Sequence, residues 1–215
     1  MSNETTHPVV KWILIGVIVV SLCVVGACVF MMSYPVDEYL AARELQSRGF
    51  HINYEWQRDQ RRNYPTEIVG SDRNITTKDS RLICQLPHIR LLTFVRGDMF
   101  GLNLDGIGNC QELSDLTFLD VVNFPAEEIE KLAACPVKSI VLINAHLKDS
   151  DVANFVGLTE LISIGLQGNT GITDASFEYF EKIASLRYLY LAETSVTKEG
   201  IEEFKKKRPD VEVIF

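Results

Sequence analysis

Apolar residues recur along this chain on a ruler of nearly constant length. Ile89, Leu113, Val137, Leu161 and Leu186 are separated by 24, 24, 24 and 25 residues, and a further step of 25 lands on Val211. Each is followed at fixed offsets by two more apolar residues: Leu92/Phe94, Leu116/Phe118, Ile140/Leu142, Ile164/Leu166 and Leu189/Leu191. Alternate residues of an extended segment point to one side. Each triplet therefore predicts a short strand with one greasy edge. One such unit cannot bury that edge alone, whereas stacked copies can. The remainder of each unit must return the chain to begin the next strand in parallel.

An L-x-x-L-x-L pattern at a period of about 20–29 residues is the leucine-rich repeat signature. The expected fold is α/β: a leucine-rich repeat solenoid with parallel strands on a concave face and helices on a convex face. The returns read as helices. Val152, Phe155 and Val156, then Phe177, Phe180 and Ile183, then Ile201 and Phe204, recur at helical spacing. Thr173 or Asp174, Asp149 or Ser150, and Thr197 stand where N-caps belong. The units starting at Ile89 and Leu113 lack this Thr-Asp start, with residues 102–109 and Phe124-Pro125 in its place. Helices are less expected there.

Upstream of the array the chain divides further. Residues 1–11 are a polar tail. Residues 12–34 read as one transmembrane helix: residues 12–32 carry no charge, long enough to span a bilayer. Trp12 and Tyr34 mark the two interfaces, and Pro35 ends the run. Two other readings compete, a cleaved signal peptide and a lipoprotein acylated at Cys28, because Val25-Gly26-Ala27-Cys28 resembles a lipobox. Lys11 on the near side and Asp37 and Glu38 on the far side favour an extracytoplasmic C-terminal domain in a single-pass membrane protein. Residues 35–64 read as an N-terminal cap and linker. A helix ends near Gly49, and residues 50–56 alternate like a half-buried strand covering the first edge of the array. Residues 57–64 read as a polar loop. Residues 65–215 form the repeat domain, opening on a degraded first unit at residues 67–86. The basic run Lys205-Lys206-Lys207-Arg208 suits a helix C-terminus and guards the last strand edge.

Several features resemble a known family: the Ile172-Thr173-Asp174 and Val196-Thr197-Lys198 starts, Leu191-Ala192-Glu193-Thr194, the closing Arg208-Pro209-Asp210-Val211, and Ala41-Ala42-Arg43-Glu44-Leu45 with Gly49 and Tyr54. The chain looks like the membrane-anchored leucine-rich repeat proteins of planctomycete-type bacteria. Their repeats are similar to the cysteine-containing, ribonuclease-inhibitor-like class. The resemblance implies protein recognition and carries over no catalytic residue.

His7, His51, His88 and His146 lack partners at ligand spacing, and no H-E-x-x-H occurs. Cys84, Cys110 and Cys135 form no C-x-x-C and read as small buried apolar residues, with one disulfide open to them in an exported domain. Asp149, Asp151 and Asp174 read as cap residues rather than acids or bases. No catalytic, cofactor or metal site is expected. The net charge of −8, with no aromatic platform beside Arg58, Arg61 and Arg62, speaks against nucleic acid. A partner would meet the side chains between the core positions of the strands: Leu91, Thr93, Val95, Asp115, Thr117, Leu119, Ser139, Val141, Ile143, Ser163, Gly165, Gln167, Tyr188, Tyr190 and Ala192. From these, Leu91, Thr93, Val95, Thr117, Leu119, Val141, Ile143, Gln167, Tyr188 and Tyr190 are the candidate protein-binding residues. Exposed apolar surface of this kind marks contact sites. The expected function is a non-enzymatic, membrane-tethered scaffold for a protein or peptide, or for another copy in an oligomer. The alternatives are an accessory or assembly subunit of a membrane complex and a structural envelope component.

Overall fold

The computed structural model describes residues 36–57 and 62–215. Ala41–Phe215 forms one compact unit. It is organised by an eight-stranded sheet whose order in space is its order in sequence. The strands are β1 (His51–Gln57), β2 (Arg62–Ser71), β3 (Leu91–Asp98), β4 (Asp115–Val122), β5 (Ser139–Ile143), β6 (Ser163–Gly165), β7 (Tyr188–Tyr190) and β8 (Glu212–Ile214). β1 pairs antiparallel with β2, and every later pairing is parallel. Leu92 sits beside Leu116, Ile140, Ile164, Leu189 and Val213 in successive strands. The repeat ruler is thus a physical register, and the unit is a leucine-rich repeat solenoid.

The three apolar columns are buried throughout. Ile89, Leu113, Val137, Leu161, Leu186 and Val211 are each at most 3% exposed. At roughly 1.5–3 kcal/mol per fully buried large side chain, each column outweighs any single polar contact. The first two units place Phe94 and Phe118 in the third column, with rings stacked 5.2 Å apart. One rung earlier Gly70 holds that position and supplies no side chain. Phe50 fills the space instead: a Cβ on Gly70 would lie 2.9 Å from its ring and 3.1 Å from that of Phe94. Phe50, just before β1, therefore caps the open edge with a side chain from outside the repeats. The alternation expected to bury residues 50–56 stops after Ile52. The register shifts between Asn53 and Tyr54, and Tyr54 and Trp56 are exposed. The expected loop is shorter than its reading, because β2 already includes Arg62, Asn63 and Tyr64. The degraded first unit is a full rung: Glu67 pairs with Leu91, 24 residues on, and Thr77–Ile83 forms helix α2. Helix α1 (Val36–Ser47) places Ala41, Ala42 and Leu45 in the core.

The returns differ from expectation. The helix expected around Val152 and Phe155 is a 3₁₀ segment, Asp149–Phe155, and so is Ala126–Ala134 in the unit from Leu113, where a helix is less expected. A third return is 3₁₀ at Asp174–Ser176 before one short turn, α3 (Phe177–Phe180). The unit from Ile89 has only Ile107–Asn109. Full α-helix appears at the last return, α4 (Lys198–Lys207). The buried residues explain this. Leu104, Ile107, Cys110 and Leu113 recur every third residue, as do Val152, Phe155, Leu158 and Leu161, and Phe177, Phe180, Ile183 and Leu186. Side chains three apart eclipse in a 3₁₀ helix, which also advances about 2.0 Å per residue against about 1.5 Å for the α form. A return of so few residues crosses the core more economically that way.

Among the described residues no helix is long and apolar enough to cross a membrane. The anchor expected at residues 12–34, with Cys28, lies outside the described residues, as do Arg58 and Arg61.

Candidate binding face

Parallel register brings the side chains between the core columns into three rows. The first runs Glu67, Leu91, Asp115, Ser139, Ser163, Tyr188, Glu212. The second runs Val69, Thr93, Thr117, Val141, Gly165, Tyr190, Ile214. The third joins Ser71, Val95, Leu119 and Ile143, with Gln167 just beyond the end of β6. Leu91, Thr93, Val95, Thr117, Leu119, Val141, Ile143, Gln167 and Tyr190 are half-buried, and Tyr188 is 43% exposed. The predicted residues therefore lie together on one face. Neighbouring strands are about 4.8 Å apart, so Val95, Leu119 and Ile143 make an unbroken apolar strip. Gly165 interrupts the middle row. The Gln167 side chain lies over it, close enough that a Cβ on Gly165 would be 2.9 Å from Oε1. That oxygen is buried and accepts no hydrogen bond.

Polar ladders border the face. Asp72, Arg96, Asp120, Asn144, Gly168 and Glu193 occupy equivalent places at or near the C-terminal ends of successive strands, and all have positive φ, from 51° to 75°. L-residues seldom adopt this conformation, yet five of these six positions hold one, and glycine holds the sixth. Arg96 donates to Asp72 through Nε at 2.6 Å and a terminal nitrogen at 2.8 Å. That pairing holds the Asp72 carboxyl below its usual range. Asn144 donates to Asp120 at 2.7 Å. Along the opposite border Arg90 pairs with Glu55, and Arg187 with Asp210 at 3.1 Å.

Behind the sheet the aspartates have a different duty from simple capping. Asp149 accepts from the backbone N–H and hydroxyl of Thr173, both at 2.7 Å, and from Ser176. Asp174 accepts from the N–H of Thr197 at 2.8 Å and its hydroxyl at 2.6 Å. Each aspartate thus ties its own return to the threonine of the next. Thr173 and Thr197 do cap, accepting from Ala175 and Gly200. At the third expected start Asp151, not Asp149 or Ser150, accepts from the Lys148 N–H at 3.0 Å. The unit from Ile89, lacking such a start, is held by buried Glu128, which accepts from the Leu104 N–H at 2.6 Å.

The sequence reading gave His88 no partner. Its Nδ1 lies 2.7 Å from Glu112 Oε1, and its ring packs 4.2 Å from that of Tyr64. The signal was available: 24 residues separate the pair, so they occupy equivalent places in adjoining units. His146 sits exposed in the loop after β5, with φ of 59°. Cys84, Cys110 and Cys135 are reduced and buried. The Cys110 thiol donates to the Ile83 carbonyl at 3.7 Å, and the Cys135 thiol to that of Ile107 at 3.1 Å. Burial pushes the Cys84 thiol up to about 11, and Cys110 higher still, which keeps both protonated and unreactive. Among the described residues no group of His, Cys, Asp and Glu could hold a metal ion.

No family model matches the chain. No curated protein matches it either. Solved structures do. An internalin from Listeria monocytogenes is similar over 70% of this chain and 47% of its own, at 11% identity and a TM-score of 0.43. A leucine-rich repeat protein from Leptospira interrogans is similar over 66% of this chain and 52% of its own, at 14% identity and a TM-score of 0.31. The chain spans about half the length of these neighbours.

Proposed function

We propose that this chain is a non-enzymatic protein-interaction scaffold, tethered to a membrane through residues 12–34 and holding a protein or peptide partner on its strand face, outside the cytoplasm. One observation carries the reading: the half-buried strip Val95, Leu119 and Ile143, continued through Thr117 and Val141, is free of charge in a chain of net charge −8. A monomer gains nothing by leaving such a strip in water, whereas a partner that covers it gains the burial. Tyr188 and Tyr190 add the rigid, amphipathic contacts that interfaces favour.

A photo-crosslinking residue placed at Leu119 in intact membranes tests the face. The same residue at exposed Glu130, on the return side, is the control. Adducts are expected from position 119 and absent when Tyr190 and Val141 are both changed to Lys. Equal adducts from both positions would end the proposal. Carbonate extraction tests the tether separately. The chain is expected to stay in the membrane fraction, and to do so unchanged after Cys28→Ser. Release on that change identifies the lipid-anchored form instead.

A further inference from the structure

The face has a charge pattern as well as an apolar one. No lysine or arginine occupies any position of its three rows, while Glu67, Asp115 and Glu212 all lie in the first. Glu67 and Asp115 flank Leu91 two strand spacings apart, roughly 10 Å. There the surface sinks into a groove of about 620 Å³ whose walls include Tyr54, Glu67, Leu91, Asp115 and Thr117. Asn53 donates to Glu67 Oε2 at 2.7 Å, and Ser114 donates to Asp115. These bonds fix the two carboxylates at the rim. Among the described residues the one cation at the groove, Arg90, is already paired with Glu55. The groove therefore sets the apolar surface of Leu91, with Tyr54 beside it, between two positioned carboxylates. A lysine or arginine side chain fits both parts, its stem lying on Leu91 and its head between the carboxylates. The first and third rows are two residue pairs apart along the strands, roughly 13 Å. A polypeptide crossing the face can reach the groove and the apolar strip together.

We infer that the partner is a basic, extended polypeptide segment, with one cationic side chain seated between Glu67 and Asp115 and apolar side chains laid over Val95, Leu119 and Ile143. This rests on the strand-face reading above and names the chemistry of what that face holds.

The probe is a randomised linear-peptide display library selected on the purified full chain. Enriched peptides are expected to carry a lysine or arginine at one fixed position beside apolar residues. Their affinity should fall by at least about tenfold in the Glu67→Gln/Asp115→Asn double variant, the scale of losing desolvated charge pairs. It should be lost in Leu119→Lys, with near-UV circular dichroism unchanged in both. Peptides that lack a fixed basic residue, or ignore the double variant yet fail on Leu119→Lys, overturn the cation seat and leave the strand face standing. Peptides indifferent to Leu119→Lys overturn the strand face itself. No enrichment at all overturns the linear-peptide partner. A dimer in sedimentation that Leu119→Lys dissolves then assigns the face to a second copy.

Discussion

At Asn169 one carboxamide closes backbone groups from two rungs. Its Oδ1 accepts from the N–H of Ala145 and of Leu147, each at 3.0 Å, and its Nδ2 donates to Leu142 at 2.6 Å and Leu166 at 2.8 Å. The side chain is 1% exposed, so no water replaces it. Asn169→Ala should cost about 2–4 kcal/mol in urea unfolding, the penalty for orphaning two buried donors. Asn144→Ala, which removes an exposed border contact and puts alanine at a φ of 51°, should cost less, about 1 kcal/mol. The equivalent positions in neighbouring units are Gly97, Val121, Ala145 and Thr194, so this contact is made once rather than as a ladder. Ionisable groups at the same scale set a pH window. Burial pushes the Asp149 carboxyl up, but bonds from Ser176 and Thr173 push it further down, and it titrates below its ordinary range. Asp79, against Arg48 and Thr76, does the same. A depressed carboxylate stabilises the fold above its unfolded pKa of about 3.9, and that share is lost as pH falls through the folded value. Raised thiols act at the other end. Cys84 contributes fully below its unfolded pKa of about 8.5, and its share is lost as pH climbs towards about 11. Unfolding midpoints should hold level between these limits and drop outside both. Asp149→Asn should flatten part of the acid limb; an unchanged limb would remove Asp149 from this role.

Elements show what the sequence could and could not say. Strand positions were legible because L-x-x-L-x-L dictates which residues face inward, and every column residue from Ile89 to Val211 is buried. The return conformation was misread because Val152/Phe155 and Phe177/Phe180/Ile183 fit both a three-residue and a 3.6-residue period over so short a span. The third-residue ladder that decides between them continues into Leu158 and Leu161, and into Leu186, beyond the segments taken as helices. Side-chain partners need the repeat period to be found, because they sit one unit away, at Asp149 and Thr173, His88 and Glu112, or Arg96 and Asp72. The candidate binding residues needed only strand alternation, but the acidic groove needed β2, whose rung was read as degraded. The last return is the longest α-helix among the returns, and its cap is a single threonine. Thr197→Ala removes both the Gly200 bond and the hydroxyl's tie to Asp174. It should cost about 1 kcal/mol and raise amide exchange selectively across residues 198–207. Uniform exchange across the sheet would show that this helix does not fray alone.

On the scale of the whole repeat unit, stability should follow position in the stack. Each rung contacts mainly its neighbours, so an inner rung is supported on two sides and β8 on one. Strand length falls the same way, from eight residues in β3 and β4 to three in β6, β7 and β8. Phe118→Ala empties an interior position stacked on Phe94 and edge-on to Phe124. It should cost about 3–5 kcal/mol and lower protection in both directions from β4. Val213→Ala changes only the last rung, and it should cost about 1 kcal/mol with losses confined to β7 and β8. Hydrogen exchange on the two variants separates this picture from a single all-or-none domain, in which both changes lower protection everywhere by their own global cost. If the array behaves as neighbours in series, the strongly held rungs are those under the apolar strip, where a partner meets preformed surface. The weakly held end, at Tyr188 and Tyr190, is then where binding should raise protection most.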